Sequence, residues 1–203
     1  MFYKILDLPS IPESLLDFST TIIRSVDLAL GRSYIKNGQA IQSADYTKME
    51  ADEKLKNWIV DNIPGVTSDM IFLQSFGANS GCTALIHSDN LRMFALNYTV
   101  DTGGPGVITT WYQEHGHPLS RYKDPAIHGF GQADNKIIQY DNCTVLEQTQ
   151  FEKYQWSLIR TDVLHDIDHL TGIRSAVSIA ILPQHLHIIE QLTGRPFDPT
   201  GSL

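Results

Sequence analysis

His87-Ser-Asp89 puts an imidazole and a carboxylate two residues apart at the end of Thr83 to Ser88, a segment that reads as a strand. A strand repeats every two residues, so both side chains fall on one face and make a ready pair of metal ligands. His-x-Asp is a short pattern, met more often as a turn-edge aspartate beside a half-buried histidine, and it gains meaning only from partners elsewhere. His165, 76 residues beyond Asp89, is such a partner. One distant histidine added to the pair gives two imidazoles and a carboxylate, a facial set that leaves the other side of an octahedral metal open. Arg174 follows nine residues later, inside the otherwise apolar run Ile173 to Leu182. A guanidinium placed there needs an anion, and its planar fork suits a dicarboxylate. The plain alternative is a strand-end arginine in water or paired with an internal acid.

Other histidines offer rival chemistry. His165-Asp-Ile-Asp-His169 on a helix would present two zinc ligands on one face, with Asp166 as general base of a hydrolase. Against that, Trp156 to Val163 alternates like a strand and Gly172 follows closely, which leaves little length for a helix and makes His169 a turn residue near the site. His115-Gly-His117 beside Pro118 is either metal-capable or a solvated turn; with Trp111 it supplies the candidates for a substrate loop. His185 and His187, two apart in an expected helix, point in different directions and are read as surface residues.

The elements that must position these residues follow from the apolar period. Residues 1–69 carry helical signals, with Leu15, Leu16, Phe18, Ile22, Ile23 and Val26 in one stretch and Leu55, Trp58 and Ile59 in another, Lys48 to Asn62. From Met70 the pattern becomes strand-like, over 70–76, 83–88, 92–100, 107–112, 136–141, 143–147, 154–163 and 173–182. Eight short strands suggest a sandwich or a jelly roll, with residues 70–182 as its core and the N-terminal helices packed on one sheet. Asp101-Thr-Gly-Gly-Pro-Gly106 reads as the turn of a hairpin. Gln113 to Asn135 is a long polar loop without periodicity, the kind that borders a site. Residues 183–203 form a C-terminal helix and tail, with Pro183 at the start of the helix and Gly194 after its end.

Bulk properties limit the partners. At 203 residues, 42% hydrophobic and 19% charged, the chain reads as a single globular domain. It has no apolar run near the roughly 20 residues of a membrane helix. The opening MFYKILDLPS lacks the flank and apolar stretch of a secretory signal, so a cytoplasmic location is expected. Cys82 and Cys143 read as small thiols rather than a bridge. A net charge of −8 without a Lys/Arg block disfavours nucleic acid.

Taken in order, His87-Ser-Asp89, His165 and Arg174 resemble the His-x-Asp…His…Arg arrangement of the non-haem iron, 2-oxoglutarate-dependent oxygenases of the prolyl-hydroxylase-like kind. The strand Arg92 to Val100 after the pair also looks like theirs, and the resemblance covers about residues 70–182. It implies a double-stranded β-helix, a cupin-like jelly roll, with iron(II) on His87, Asp89 and His165. It also implies 2-oxoglutarate with its distal carboxylate on Arg174, molecular oxygen as the other co-substrate, and hydroxylation of a small molecule or peptide side chain. Many relatives carry Ser or Thr two residues after the arginine, where this chain has Ala176. Ser178, on the same face two residues on, or Tyr98, would then complete the co-substrate site. A jelly roll that only binds a ligand is the non-catalytic alternative, and the resemblance leaves substrate and oligomeric state open.

Overall fold

In the computed structural model, the described residues are 1–17, 23–27, 33–36, 39–42, 45–77, 86–89, 92–115 and 143–196. They form a mainly β protein with antiparallel sheets and two α-helices. Five strands precede the first helix: β1 (Tyr3–Leu6), β2 (Ile23–Asp27), β3 (Ser33–Lys36), β4 (Gln39–Gln42) and β5 (Asp45–Glu50). Helix α1 (Glu53–Asn62) follows, then β6 (Ile71–Gly77), β7 (Phe94–Thr102), β8 (Ile108–Glu114) and β9 (Cys143–Thr149). The chain continues through β10 (Trp156–Arg160), β11 (His165–Asp168), β12 (Arg174–Ile181) and α2 (His187–Thr193).

Seven strands make one sheet in the order β1-β10-β7-β12-β6-β5-β2, three make another in the order β11-β8-β9, and β3 pairs with β4. The pairings from β6 onward are nested. β6 pairs with β12, β7 with β10 and β8 with β9. Between β6 and β7 the chain touches β11 through an isolated antiparallel bridge, His87 to His165.

The larger sheet has two unlike faces because its strands alternate. Leu73, Leu96, Tyr98, Trp156, Leu158, Val177 and Ile179 pack with Leu55, Ile59 and Ile63 of the α1 region and with Ile188 and Ile189 of α2. Helix α1 starts where the Asp52 side chain accepts from Leu55 N at 2.8 Å, and it buries the residues spaced four apart. The opposite face meets the smaller sheet. There Trp111 of β8 is 0% exposed, stacks on Phe2 and Tyr3, and donates its indole N–H to Arg160 O at 2.9 Å.

Several expectations need correction. Residues 1–69 are not a helical support: β1 to β5 occupy much of them, and the helix expected over Lys48 to Asn62 begins only at Glu53, because Asp45–Glu50 is a strand. β-Branched and aromatic residues win where a neighbouring strand offers backbone partners, as β6 does for β5. The antiparallel pairing of β3 with β4 was not foreseen either. The glycine-rich segment after β7 joins two sheets rather than closing a hairpin, since β7 pairs with β10 and β12 while β8 pairs with β9 and β11. β11 was not foreseen as a separate strand. The C-terminal helix stands, preceded by a 3-10 turn at Pro183–His185 and closed by Gly194 in the left-handed region at φ 68. The strand expected over 136–141, Cys82, and residues 116–135 of the long loop lie outside the described residues, whereas Gln113 and Glu114 belong to β8. Among the described residues no helix is long and apolar enough to cross a membrane.

Candidate functional site

His87 and His165 face each other across the two sheet-edge segments. His87 N donates to His165 O at 3.0 Å and His165 N donates to His87 O at 2.8 Å. This reciprocal pairing turns both side chains to one side and brings their ring centroids to 4.5 Å. His165 lies opposite Trp111 in the ladder, so it shares the face that looks toward the larger sheet. Its Nδ1 sits 2.8 Å from Val163 O; an N–H there leaves Nε2 as the nitrogen for a ligand. Burial first, and then His87, push the His165 imidazole down to about 3, so it is neutral at ordinary pH.

Asp89 is anchored by its backbone N–H to Thr161 O at 2.6 Å, and its Oδ1 lies 3.9 Å from His87 Nε2. Its Oδ2 accepts from Arg92 Nε at 2.8 Å and also from the Arg92 Nη2. Burial alone would raise this carboxyl; Arg92, then His87 and His165, outweigh it and hold Asp89 below the usual carboxylate range. The donor types suit a divalent metal. Among the described residues, however, no three His, Cys, Asp or Glu side chains converge closely enough to hold one ion as they stand. The fit is therefore one of chemistry and proximity, with the Asp89 carboxylate turned toward Arg92.

Arg174 belongs to the larger sheet, on the side of β12 that also carries Ser178 and reaches Thr109 of the smaller sheet. It is 7% exposed, opposite Phe76 in the ladder, and burial pushes it down to about 10. Its side chain donates to Thr109 Oγ1 at a long 3.4 Å and lies 5.7 Å from the Phe151 ring. Arg160 is forked onto Asp162 and Arg92 onto Asp89, but among the described residues Arg174 has no acid. The turn beside it is tight. Gly103, at φ 84, accepts from Thr171 N and Gly172 N, and an added Cβ would lie 2.9 Å from Arg174 Cβ.

Between the two ends runs a strip of small and polar residues. Ser157, Asn97 and Ser178 lie side by side on β10, β7 and β12, and Thr99, Ala176 and Gln74 form the next row. All six are buried. Ser178 is 0% exposed, and its hydroxyl has no hydrogen-bond partner among the described residues. Asn97, Gln74, Thr99 and Ser157 were not singled out by sequence; the signal was a polar residue at every second position of otherwise apolar strands.

Lys48 was also missed. Its Nζ lies 4.0 Å from the centroid of the Phe72 ring, and the Arg92 guanidinium carbon lies 5.8 Å from the same ring. Burial first, and then Arg92, push Lys48 down to about 8, with Asp89 opposing.

The other expected residues lie elsewhere. Tyr98 is on the opposite face from Ser178: it shares the core with Val177, its ring is 5.0 Å from Trp156, and its hydroxyl bonds Ser10. A one-residue step along a strand turns the side chain to the other face, so Tyr98 does not stand beside Arg174. Trp111 is a core residue joining the sheets rather than part of a loop. His115 is exposed, with its Nε2 against the Thr144 hydroxyl, and His117 lies outside the described residues. His169 is exposed in a turn at φ 63. His165 to Asp168 is a strand, so the two histidines do not share a helix face and the zinc-hydrolase pattern is not formed. Cys143 is half-buried, its thiol pushed up to about 11 chiefly by burial.

No family model and no curated protein matches the chain. Among solved structures, one described as "X-Ray structure of E. coli ycfD" aligns at 11% identity with a TM-score of 0.38, over 100% of this chain and 58% of that one. The chain thus spans less than two thirds of that protein, and a likeness at this TM-score carries no argument about function.

Proposed function

We propose that the protein is an iron(II)- and 2-oxoglutarate-dependent oxygenase built on a double-stranded β-helix. The observation that carries the reading is Arg174, a buried guanidinium without an acidic partner among the described residues, on the face of the larger sheet from which it reaches Thr109 of the smaller sheet that bears His165. A buried charge left unpaired costs several kcal/mol, so the position makes sense when an anionic ligand supplies the other half. The nested pairing of β6 with β12, β7 with β10 and β8 with β9 supports the jelly-roll reading.

In this reading His165 Nε2, His87 and an Asp89 oxygen hold the iron, and a small turn of the Asp89 carboxylate completes the set. A centre of that kind supplies oxygen activation coupled to decarboxylation of 2-oxoglutarate to succinate. The chain's own residues do the rest. Val163 O fixes the His165 tautomer, and Arg92 restrains Asp89 through Oδ2. Arg174 takes the distal carboxylate, and Ser178 gives its buried hydroxyl to the same ligand. The apolar wall of Phe76, Ile167 and Leu170 keeps water from the Arg174 end. The small metabolites involved suit a cytoplasmic setting.

Anaerobic titration of the protein with iron(II) and 2-oxoglutarate tests this through the metal-to-ligand charge-transfer band. The band is expected for the parent and for His169→Ala and is lost in His165→Ala. Arg174→Ala raises the 2-oxoglutarate requirement by on the order of 2–4 kcal/mol, and Ser178→Ala raises it less. If the parent binds iron and 2-oxoglutarate without giving the band, or binds neither, the oxygenase reading is withdrawn; in the second case a non-catalytic jelly roll takes its place.

A further inference from the structure

Asp89 and Arg92 share one buried mount, Thr161, which follows the end of β10 and is 0% exposed. Asp89 N donates to Thr161 O at 2.6 Å, Thr161 Oγ1 donates to Arg92 O at 2.7 Å, and Thr161 N donates to Met93 O at 3.0 Å. The main chain and the hydroxyl of one threonine therefore fix the two residues relative to each other. The same stretch of chain, four residues on, carries His165, with Val163 O 2.8 Å from its Nδ1.

On this mount the Arg92 guanidinium meets a single carboxylate oxygen. Arg92 Nε donates to Asp89 Oδ2 at 2.8 Å, and Arg92 Nη2 donates to the same oxygen. An arginine fork commonly spreads over both oxygens of a carboxylate, whereas here both N–H groups fall on one. A carboxylate oxygen offers about two lone pairs, so two N–H donors saturate Oδ2. Oδ1 is left on the side of the histidines, 3.9 Å from His87 Nε2. A carboxylate that gives both oxygens fills two positions of an octahedral metal, and one that gives a single oxygen fills one.

We infer that Arg92 is a positioning residue that withholds Oδ2 of Asp89, so that the carboxylate gives one oxygen and a whole face of the metal stays open. The inference rests on the proposed centre at His87, Asp89 and His165. Two imidazoles and one oxygen leave three positions, the number that a co-substrate held through two atoms and molecular oxygen together require. Thr161 supports Arg92 by pinning its carbonyl, which keeps the fork on one oxygen. Without the fork, Asp89 gives both oxygens, the metal is held as well as before, and one open position is lost.

Water-proton relaxation of the manganese(II)-loaded protein tests it, because exchangeable waters on the metal relax the solvent in proportion to their number. Arg92→Met keeps an apolar stem and removes both donors. It is expected to bind manganese(II) within about threefold of the parent, while its relaxation enhancement falls by about one third, one water of three. Its manganese-loaded form should also bind 2-oxoglutarate about tenfold or more weakly in calorimetry, and Arg92→Lys, which restores an N–H donor, should recover most of both. Melting curves show whether each variant is folded, and Arg92→Gln, also without the charge, takes the place of Arg92→Met if that variant is not. A folded variant with the parent's relaxation enhancement, or one that loses the metal altogether, overturns the inference. In both cases the parent's charge-transfer band still decides the oxygenase reading by itself. A parent that takes up no metal removes the centre and this inference together.

Discussion

His165 shows how one residue ties the site to stability. Its imidazole is held neutral by burial and by His87, with a folded-state value of about 3 against an ordinary value near 6.5. The unfolded chain therefore takes up a proton in a range where the folded chain does not. This residue's contribution is intact above about pH 6.5 and declines as pH falls from there toward 3, with a slope of up to ~1.4 kcal/mol per pH unit. Denaturant melts of the metal-free protein across pH 7 to about 4 should show this decline, and His165→Gln should flatten it. A parent and variant with the same acid limb would mean that His165 is not the buried neutral group. The same neutrality keeps a nitrogen lone pair ready for a metal in mildly acidic solution.

At the scale of the element, the crossing from β7 to β8 decides where Arg174 sits. Gly103 adopts φ 84, and a Cβ on it would lie 2.6 Å from Leu170 Cδ2 and 2.9 Å from Arg174 Cβ. Its carbonyl also accepts two N–H groups from the turn between β11 and β12. Gly103→Ala meets both a left-handed backbone and two close neighbours, so a loss of about 1–3 kcal/mol is expected in thermal unfolding. By contrast, an added Cβ at Gly106, also at positive φ, meets nothing within 4 Å. Gly106→Ala should cost less, and an equal loss at the two positions would show that backbone strain alone governs the turn.

At the scale of the molecule, Trp111 is one side chain that joins the two sheets. Trp111 is fully buried, stacks on Phe2 and Tyr3, and reaches across to Arg160 O. Truncation to alanine removes this bridge between the layers and is expected to cost about 3–5 kcal/mol. Since His165 lies opposite Trp111, the same variant should loosen the metal binding proposed above, whereas an apolar truncation on the helix side, Ile188→Ala, should lower stability and leave that proposed metal affinity nearly unchanged. Equal loss of metal affinity in both would argue that the site depends on global stability alone.

The sequence by itself put forward the candidate residues and the strand that carries Arg174. His87, Asp89, His165 and Arg174 could be chosen because residue type and a period of two are local properties, visible without knowing what packs where. The end of the chain was legible for the same reason, with Pro183 and Gly194 bounding its helix. Tertiary structure alone decided which face each strand buries, and so separated Ser178 from Tyr98 and turned Trp111 into a bridge between sheets. It also decided that residues 1–69 are largely strands, because β5 finds backbone partners on β6 and β2 on β5, pairings that no local pattern encodes. The cations of Lys48 and Arg92 are 44 positions apart in the chain. Only the pairing of β5 with β6, of β6 with β12 and of β12 with β7 brings them to one ring, since long-range register is fixed by the burial of whole faces rather than by any short segment.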